Sequence, residues 1–173
     1  MRILITVLCL ALASCGFRLR GTAEVPFSTV YVPGATGGIA LDLKRNIQAG
    51  TNAKVVDDPK QADAVLQFTE ETRQKEILSL TGTGRVREFK LRYRVGFRLH
   101  DGKGADYVPQ STVELTRDVS FNDAEVLAKE AEEQLLFRDM QSDMVQQIMR
   151  RLGALRARLA RGKTQLDQLP ASE

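Results

Sequence analysis

The sequence predicts an α+β domain with one mixed four-stranded sheet and two helices packed on one face, in the order β-α-β-β-β-α. Three patterns lead to this prediction: a short strand followed by a helical repeat, a long strand of alternating apolar and basic residues, and a long amphipathic helix near the C-terminus. Two helices can cover only one face of such a sheet, so we expect the other face to meet water or a partner.

The first part of the domain has the pattern of strand, helix and strand. Phe27–Val32 lies between two prolines and is rich in strand-forming residues. The next segment repeats Ile39, Leu43 and Ile47 at four-residue steps, which predicts a helix with one apolar face. Ala53–Val56 predicts a short strand after this helix. Because strands joined through a helix are usually parallel, we expect this pair to be parallel and the remaining pairs to be antiparallel.

The clearest strand signal in the chain is strict alternation from Phe89 to His100. Its odd positions are apolar and its even positions are mostly basic, so one face should be buried and the other cationic. We call the cations of this strand the basic row: Lys90, Arg92, Arg94 and Arg98. The return strand carries Glu114 and Asp118 at even positions, which would place them on the same face as the basic row. The face is therefore either charge-balanced and solvated or a surface for an anionic or protein partner.

Two further segments complete the predicted domain. Alternation over 62–69 predicts a half-buried strand, with Ile77–Leu80 as its continuation. Apolar residues at three- and four-residue steps predict a long amphipathic helix from Ala124 to Leu152. Asn122 and Glu125 resemble a capping box at its start.

The chain starts with the composition of an export signal. Met1-Arg2 is followed by an apolar run of about ten residues, which is too short for the roughly 20 residues of a membrane span. Leu12-Ala13-Ser14-Cys15 resembles the lipobox of bacterial lipoproteins, in which the cysteine is acylated and becomes the first mature residue. We expect a signal peptide over 1–14, one domain over 15–161 tethered through lipidated Cys15, and a disordered tail over 162–173. The alternative is an ordinary signal peptide with an accidental cysteine.

Composition and charge exclude several functions. The formal charge of +3 falls to +2 when Arg2 leaves with the signal peptide, which is too little to indicate a nucleic-acid partner. Cys9 leaves as well, and Cys15 is the acylation site, so no thiol remains for a disulfide or a metal. His100 is the single histidine, and no serine lies in a G-x-S-x-G motif. We therefore expect no enzyme, no metal site and no cofactor.

Several short motifs occur in an order that resembles one known family, the LptE lipopolysaccharide-assembly lipoproteins. The motifs, in chain order, are Cys15-Gly16-Phe17 with Leu19-Arg20-Gly21, Glu88-Phe89-Lys90-Leu91, Arg117 with Phe121, and Leu127-Ala128-Lys129. Each motif is short, so the specificity comes from their order on a lipoprotein of this size. The resemblance covers most of 15–152 and is weakest across 53–84.

The resemblance implies a function, a location and partners. Members of that family sit as a plug in the lumen of the barrel LptD and help to deliver lipopolysaccharide to the outer leaflet. It therefore implies a non-enzymatic lipoprotein on the periplasmic side of the outer membrane, with LptD, lipopolysaccharide and the membrane as partners. Gly16 agrees with this location, because an aspartate there would commonly signal inner-membrane retention.

The resemblance also implies a lipopolysaccharide-binding site. The lysine of the family's Leu-Ala-Lys motif corresponds to Lys129, and a second basic position of the family falls at or near Gly82, where Arg85 or Arg87 would take its place. The second function consistent with the sequence is a free-standing outer-membrane lipoprotein that binds an anionic envelope polymer through the basic row.

Overall fold

The computed structural model of the protein describes residues 24–34 and 36–159. The signal peptide, Cys15 and residues 162–173 lie outside the described residues, so the predictions made for them stay predictions. The helices and strands, in chain order, are β1 (Thr29–Tyr31), α1 (Gly38–Gly50), β2 (Lys54–Val56), β3 (Ala64–Leu80), β4 (Val86–His100), β5 (Asp106–Ser120) and α2 (Val126–Gly153).

The sheet confirms the α+β class but has five strands rather than four, in the order β2-β1-β3-β4-β5. β1 is parallel to β2, as predicted, and it is also parallel to β3, in place of the antiparallel pair that the sequence predicts. Tyr31 at the end of β1 pairs with both Val56 and Val65. The end of β2 and the start of β3 therefore lie on either side of the end of β1. The short connection between them crosses β1, and β3 runs on in the same direction as β2.

The strands β3, β4 and β5 form a long antiparallel meander. The two predicted pieces of β3 are one strand of 17 residues. The alternation fails in its middle because Glu71, Arg73 and Lys75 stand at positions where apolar residues would mark a buried face. A register shift between Phe68 and Glu70, opposite Gly96, separates the buried start of β3 from this charged part.

Both helices pack on one face of the sheet, as predicted. The odd-numbered residues of β4 form the centre of the core, and Phe97 is 0% exposed. The fully buried side chains that meet them from the helices are Ile39, Leu43 and Ile47 of α1 and Met140, Met144, Ile148 and Leu152 of α2. The methionines are therefore core residues that fill the space between α2 and the sheet.

The last helix starts slightly later than predicted. A 3₁₀ turn over Asp123–Glu125 comes first, and Asn122 Oδ1 accepts a hydrogen bond from Ala124 N at 3.1 Å. Asn122 thus caps this turn, while Glu125 is the N-cap of α2 and makes no side-chain capping bond. The predicted capping box does not form, because the tight turn shifts Glu125 out of the N3 position.

Candidate functional site

The end of the sheet farthest from β1 and β2 brings together the residues that the resemblance links to lipopolysaccharide. We call this end the sheet tip: it consists of β3 from Lys75 onward, the β3–β4 turn, the start of β4, the end of β5 and the start of α2. Glu88 pairs with Ser120, and Phe121 N donates to Arg87 O at 2.8 Å. The chain then turns through Asp123–Glu125 and returns over the tip as α2.

Lys129 lies near the start of α2, above the end of β5. Its Nζ is 3.1 Å from Ser120 Oγ and 2.9 Å from Glu132 Oε2, and its side chain is 18% exposed. An ammonium group has three hydrogens, so these two contacts leave one for another acceptor. The helix dipole disfavours a cation near a helix N-terminus, and the i,i+3 pair with Glu132 offsets this effect.

Arg85 and Arg87 flank the start of β4 at the same tip. Arg85 Nη1 is 3.8 Å from Asp123 Oδ2, and Arg87 Nη2 is 3.4 Å from Glu88 Oε2. Their side chains are 75% and 64% exposed, so both guanidinium groups are largely open to solvent. The predicted proximity of Lys129, Arg85 and Arg87 at one end of the sheet is therefore present.

A pocket of about 170 Å³ lies between the start of α2, the start of β4 and the end of β5. Its apolar floor includes Phe89 and Phe121, whose rings meet edge to face with centroids 5.2 Å apart. Lys75 Nζ sits 4.3 Å from the centroid of Phe89 and 2.5 Å from Glu133 Oε2, and Lys129 lines the same pocket. Two ammonium groups beside an apolar floor can accept an amphiphile that carries a phosphate.

The sheet tip is not a bare cationic patch, because each of its four cations has an acidic neighbour. The pairs are Arg85 with Asp123, Arg87 with Glu88, Lys129 with Glu132 and Lys75 with Glu133. The hydrogen bond with Ser79 Oγ and the neighbouring Arg87 lower the pKa of Glu88 below its usual value, so this carboxylate stays charged. A ligand phosphate at the tip therefore competes with carboxylates for the same cations.

The basic row faces away from the helices, and acidic or amide side chains flank it. The contacts are Arg92 with Glu76 (3.5 Å) and Glu114 (3.1 Å), Arg94 with Glu70 (3.2 Å) and Arg98 with Gln67 (2.7 Å). Lys90 pairs in register with Glu76 on one side and Asp118 on the other. The open face is thus charge-balanced, which was one of the two interpretations that the sequence left open.

The residues at 24–34 and 36–159 include no group of three or more His, Cys, Asp or Glu side chains placed to hold a metal ion. In the same part of the chain, no helix has both the length and the apolar composition needed to cross a membrane.

Two features of the tip were missed from the sequence. Lys75 lies in the charged middle of β3, where the apolar alternation fails, and only the sheet register brings it to Phe89. Three aliphatic residues near the end of β3 are also exposed: Ile77 (59%), Leu78 (41%) and Leu80 (54%). A run of four residues with three aliphatic side chains and one serine would ordinarily indicate burial, so no sequence signal marks these positions as exposed.

Curated relatives of this chain carry one shared description. The chain is 27% identical over 158 residues to the LPS-assembly lipoprotein LptE of Photorhabdus laumondii, covering 87% of this chain and 85% of the relative. It is 32% identical over 164 residues to the LPS-assembly lipoprotein LptE of Yersinia enterocolitica, covering 87% of this chain and 75% of the relative.

Solved structures with the same architecture include lipoproteins of two other bacteria. An uncharacterized lipoprotein B from Nitrosomonas europaea matches with a TM-score of 0.70 and 46% identity, over 82% of this chain and 93% of that one. A minor lipoprotein from Acinetobacter baumannii matches with a TM-score of 0.59 and 26% identity, over 78% and 92%. The family model described as LptE, lipopolysaccharide-assembly, matches residues 27–152, and the chain therefore belongs to the LptE family of lipopolysaccharide-assembly lipoproteins.

Proposed function

We propose that this chain is a non-enzymatic outer-membrane lipoprotein that plugs and helps to assemble the LptD barrel and assists lipopolysaccharide delivery to the outer leaflet. Lipidated Cys15 anchors it on the periplasmic side. The observation that carries this proposal is the family match, which runs from Phe27, just before β1, to Leu152 in the last turn of α2 and so includes the whole sheet and nearly all of both helices.

The sheet tip supports a direct contact with lipopolysaccharide. The phosphates of lipid A are compact dianions, and an arginine fork or an ammonium group binds such anions through charge-assisted hydrogen bonds. Arg85 and Arg87 are exposed at this tip. The ammonium group of Lys129 has one hydrogen that no described acceptor takes, and the apolar floor of the pocket lies beside this group. A lipid phosphate would have to displace the neighbouring carboxylates from these cations. The resulting contact is weak and reversible, which suits a protein that passes lipopolysaccharide on rather than one that retains it.

The basic row gives less support to the second function, a free-standing lipoprotein that binds an anionic envelope polymer. Arg92 and Arg94 each lie within 3.5 Å of a carboxylate oxygen of a neighbouring strand. A polymer would have to displace several of these pairs at once. We therefore favour the assembly function.

The anchor is tested by Cys15→Ala. We expect this variant to lose metabolic fatty-acid labelling and to leave the outer-membrane fraction, because acyl chains contribute about 0.8 kcal/mol per buried CH₂. Labelling that persists in Cys15→Ala would show that the acylation site lies elsewhere.

The barrel partner is tested by purifying the full chain from detergent-solubilised outer membrane. A stoichiometric barrel protein that co-purifies supports the proposed function. Recovery of the chain from this membrane without a barrel protein would favour the second function, a free-standing lipoprotein that binds an anionic envelope polymer.

The lipopolysaccharide contact is tested by reversing two charges together, Lys129→Glu and Arg87→Glu. We expect weaker binding of lipopolysaccharide to the folded variant at low salt, and a smaller difference from wild type at high salt, because salt screens exposed charges. The matched control is Lys60→Glu with Lys103→Glu, which makes the same change in net charge at exposed positions outside the tip. A folded tip variant that binds lipopolysaccharide as tightly as wild type at low salt would exclude this patch.

A further inference from the structure

A second pocket lies at the end of the sheet opposite the tip, between the start of β5 and the C-terminal end of α2. Its volume is about 260 Å³. Two arginines, Arg151 and Arg158, line it beside Ser111 and four apolar residues: Val108, Pro109, Ala154 and Leu155. The pocket therefore sets two guanidinium groups beside an apolar floor, which is the chemistry that an amphiphile with a phosphate requires.

The two arginines of this pocket differ from the cations of the tip because they have no acidic partner in the described chain. Arg151 Nη2 donates to Thr112 O at 3.2 Å, and within residues 24–34 and 36–159 no carboxylate forms an ion pair with Arg151 or Arg158. A guanidinium group has five N–H donors, so this one described bond leaves most of them for another acceptor. An anion that binds here displaces no described carboxylate, whereas one that binds at the tip does.

Positive charge is concentrated in the sequence that carries these two arginines. Residues 150–163 contain six lysines and arginines and no aspartate or glutamate. That exceeds the net charge of the whole chain, +3, so the rest of the chain is net acidic. The helix dipole accounts for Arg150 and Arg151 in the last turn of α2, but Arg156 and Arg158 follow the end of that helix. Polybasic segments of this size are attracted to membranes that contain anionic lipids.

The chain that carries the proposed anchor arrives at the same end of the domain. Glu24 pairs with Arg156, which lies between the two arginines of the pocket in sequence. Cys15 precedes Glu24 by nine residues, and an extended chain spans at most about 3.5 Å per residue. An acylated Cys15 therefore keeps this end of the domain within about 30 Å of the membrane surface. This step rests on the lipidation of Cys15, which is part of the proposed function.

We propose that the pocket between the start of β5 and the end of α2 binds the headgroup phosphate of an anionic phospholipid in the membrane that carries the anchor. Arg151 and Arg158 hold the phosphate through charge-assisted hydrogen bonds, and the apolar floor contacts the glycerol and the first methylene groups. Arg150 and Arg156 strengthen the attraction to neighbouring headgroups. The occupant is a lipid rather than an acidic protein because the anchor brings this end to the membrane. At about 3.4 Å per residue, β4 is roughly 50 Å long, so the tip stays clear of this contact.

The probe is a vesicle of phosphatidylcholine with about one-third phosphatidylglycerol, compared with a vesicle of phosphatidylcholine alone. The protein is the mature chain over 15–173 with Cys15→Ala, so that acyl chains make no contribution to binding. Sedimentation with the vesicles measures the bound fraction. We expect at least about tenfold tighter binding to the vesicles that contain phosphatidylglycerol, with a smaller difference at high salt because salt screens exposed charges.

Two matched variants locate the contact. Arg151→Gln with Arg158→Gln removes both charges of the pocket, and we expect at least about tenfold weaker binding to the anionic vesicles. Arg45→Gln with Arg138→Gln removes the same charge at exposed positions of α1 and α2 and should weaken binding less than about threefold.

A third variant covers the case in which loss of the bond between Arg151 and Thr112 unfolds the chain. Arg158→Glu changes a single exposed side chain and should also weaken binding to the anionic vesicles at least about tenfold, since it places a negative charge beside the phosphate. Circular dichroism checks that all three variants are folded.

Three results would overturn the proposal. The first is equal binding to the two kinds of vesicle, which would assign the arginines to another occupant such as an acidic protein surface. The second is equal weakening by the pocket pair and the control pair, which would reflect overall charge. The third is release from the vesicles by inorganic phosphate at constant ionic strength, which would mean that the pocket takes free phosphate. None of these results involves LptD or lipopolysaccharide, so failure here is distinct from failure of the proposed function.

Discussion

The two ends of the sheet differ in burial, and β3 alone shows the contrast. At its start, Ala64 and Leu66 are at most 1% exposed, whereas Ile77 and Leu80 near its end are more than half exposed. The covered end supplies the core, and the sheet tip leaves large apolar side chains in contact with solvent. Burial contributes about 25 cal/mol per Å² of apolar surface, so the stability of the domain resides mainly in the covered end.

The helix α2 shows the same difference along its own length. Its buried residues begin at Met140, while Leu127 near its start is 82% exposed and Leu135 is 51% exposed. The first turns of α2 therefore project over the tip without a full packing partner in the described chain. The stabilising core and the proposed lipopolysaccharide-binding surface lie at opposite ends of the domain, so substitutions should separate their effects.

The largest loss of stability is expected from Phe97→Ala, which removes a buried side chain from the covered end of the sheet. Phe97 is fully buried, and truncation of a buried phenylalanine costs about 3–5 kcal/mol. Ile77→Ala, at a 59% exposed position of the tip, should cost less than about 1 kcal/mol. Urea denaturation of both variants measures the difference, and equal losses of stability would contradict the division into a covered, stabilising end and an open tip.

The next largest loss of stability is expected at the boundary between the two ends, where Gly96 lies opposite the register shift in β3. A Cβ on Gly96 would lie 2.6 Å from Thr69 Oγ1 and 3.3 Å from Glu70 Cβ. We expect Gly96→Ala to lower the free energy of unfolding by about 1–3 kcal/mol. Adding Thr69→Ala removes the closest atom and should restore part of this loss. A double variant no more stable than Gly96→Ala would place the strain elsewhere.

A smaller effect is expected from Tyr93, which joins the charged middle of β3 to the core. Its hydroxyl donates to Glu71 Oε1 at 2.7 Å, and burial raises the pKa of Tyr93 to about 12. Tyr93→Phe removes this bond and should cost about 1–2 kcal/mol at neutral pH.

The raised pKa of Tyr93 also predicts how stability depends on alkaline pH. The unfolded phenol has a pKa near 10, so the stabilising effect of the proton is complete below about pH 10 and is lost as pH rises toward 12. Between pH 9 and 11 we expect wild type to lose about 1 kcal/mol more than Tyr93→Phe, measured by urea denaturation. Parallel pH profiles of the two proteins would contradict this assignment.

The smallest effect is expected on the open face of the sheet. Arg98 Nε donates to Gln67 Oε1 at 2.7 Å at an exposed site, and such contacts contribute about 1 kcal/mol or less. Arg98→Ala should therefore shift the urea midpoint far less than Phe97→Ala, its neighbour on the opposite face. The reverse order would mean that the two faces of β4 are assigned the wrong way round.

The sequence alone determined the features that depend on local periodicity. The alternation around Phe89–His100 predicted β4 and its two faces, and the four-residue repeat of Ile39, Leu43 and Ile47 predicted α1. Both are present because side chains repeat every two residues in a strand and about every 3.6 in a helix, whatever the rest of the chain does. The order of short motifs also pointed to the family, which the comparison over 27–152 confirms.

Only the tertiary structure decided the features that depend on neighbours distant in sequence. The charged residues Glu71, Arg73 and Lys75 belong to the same strand as Leu66 because β4 supplies their hydrogen bonds, which no local pattern records. The parallel pairing of β1 with β3 and the acidic partners of Lys75 and Arg85 likewise come from register and strand order. A one-dimensional pattern specifies which face of an element is apolar, but only the packing of several elements specifies which of those faces remain uncovered.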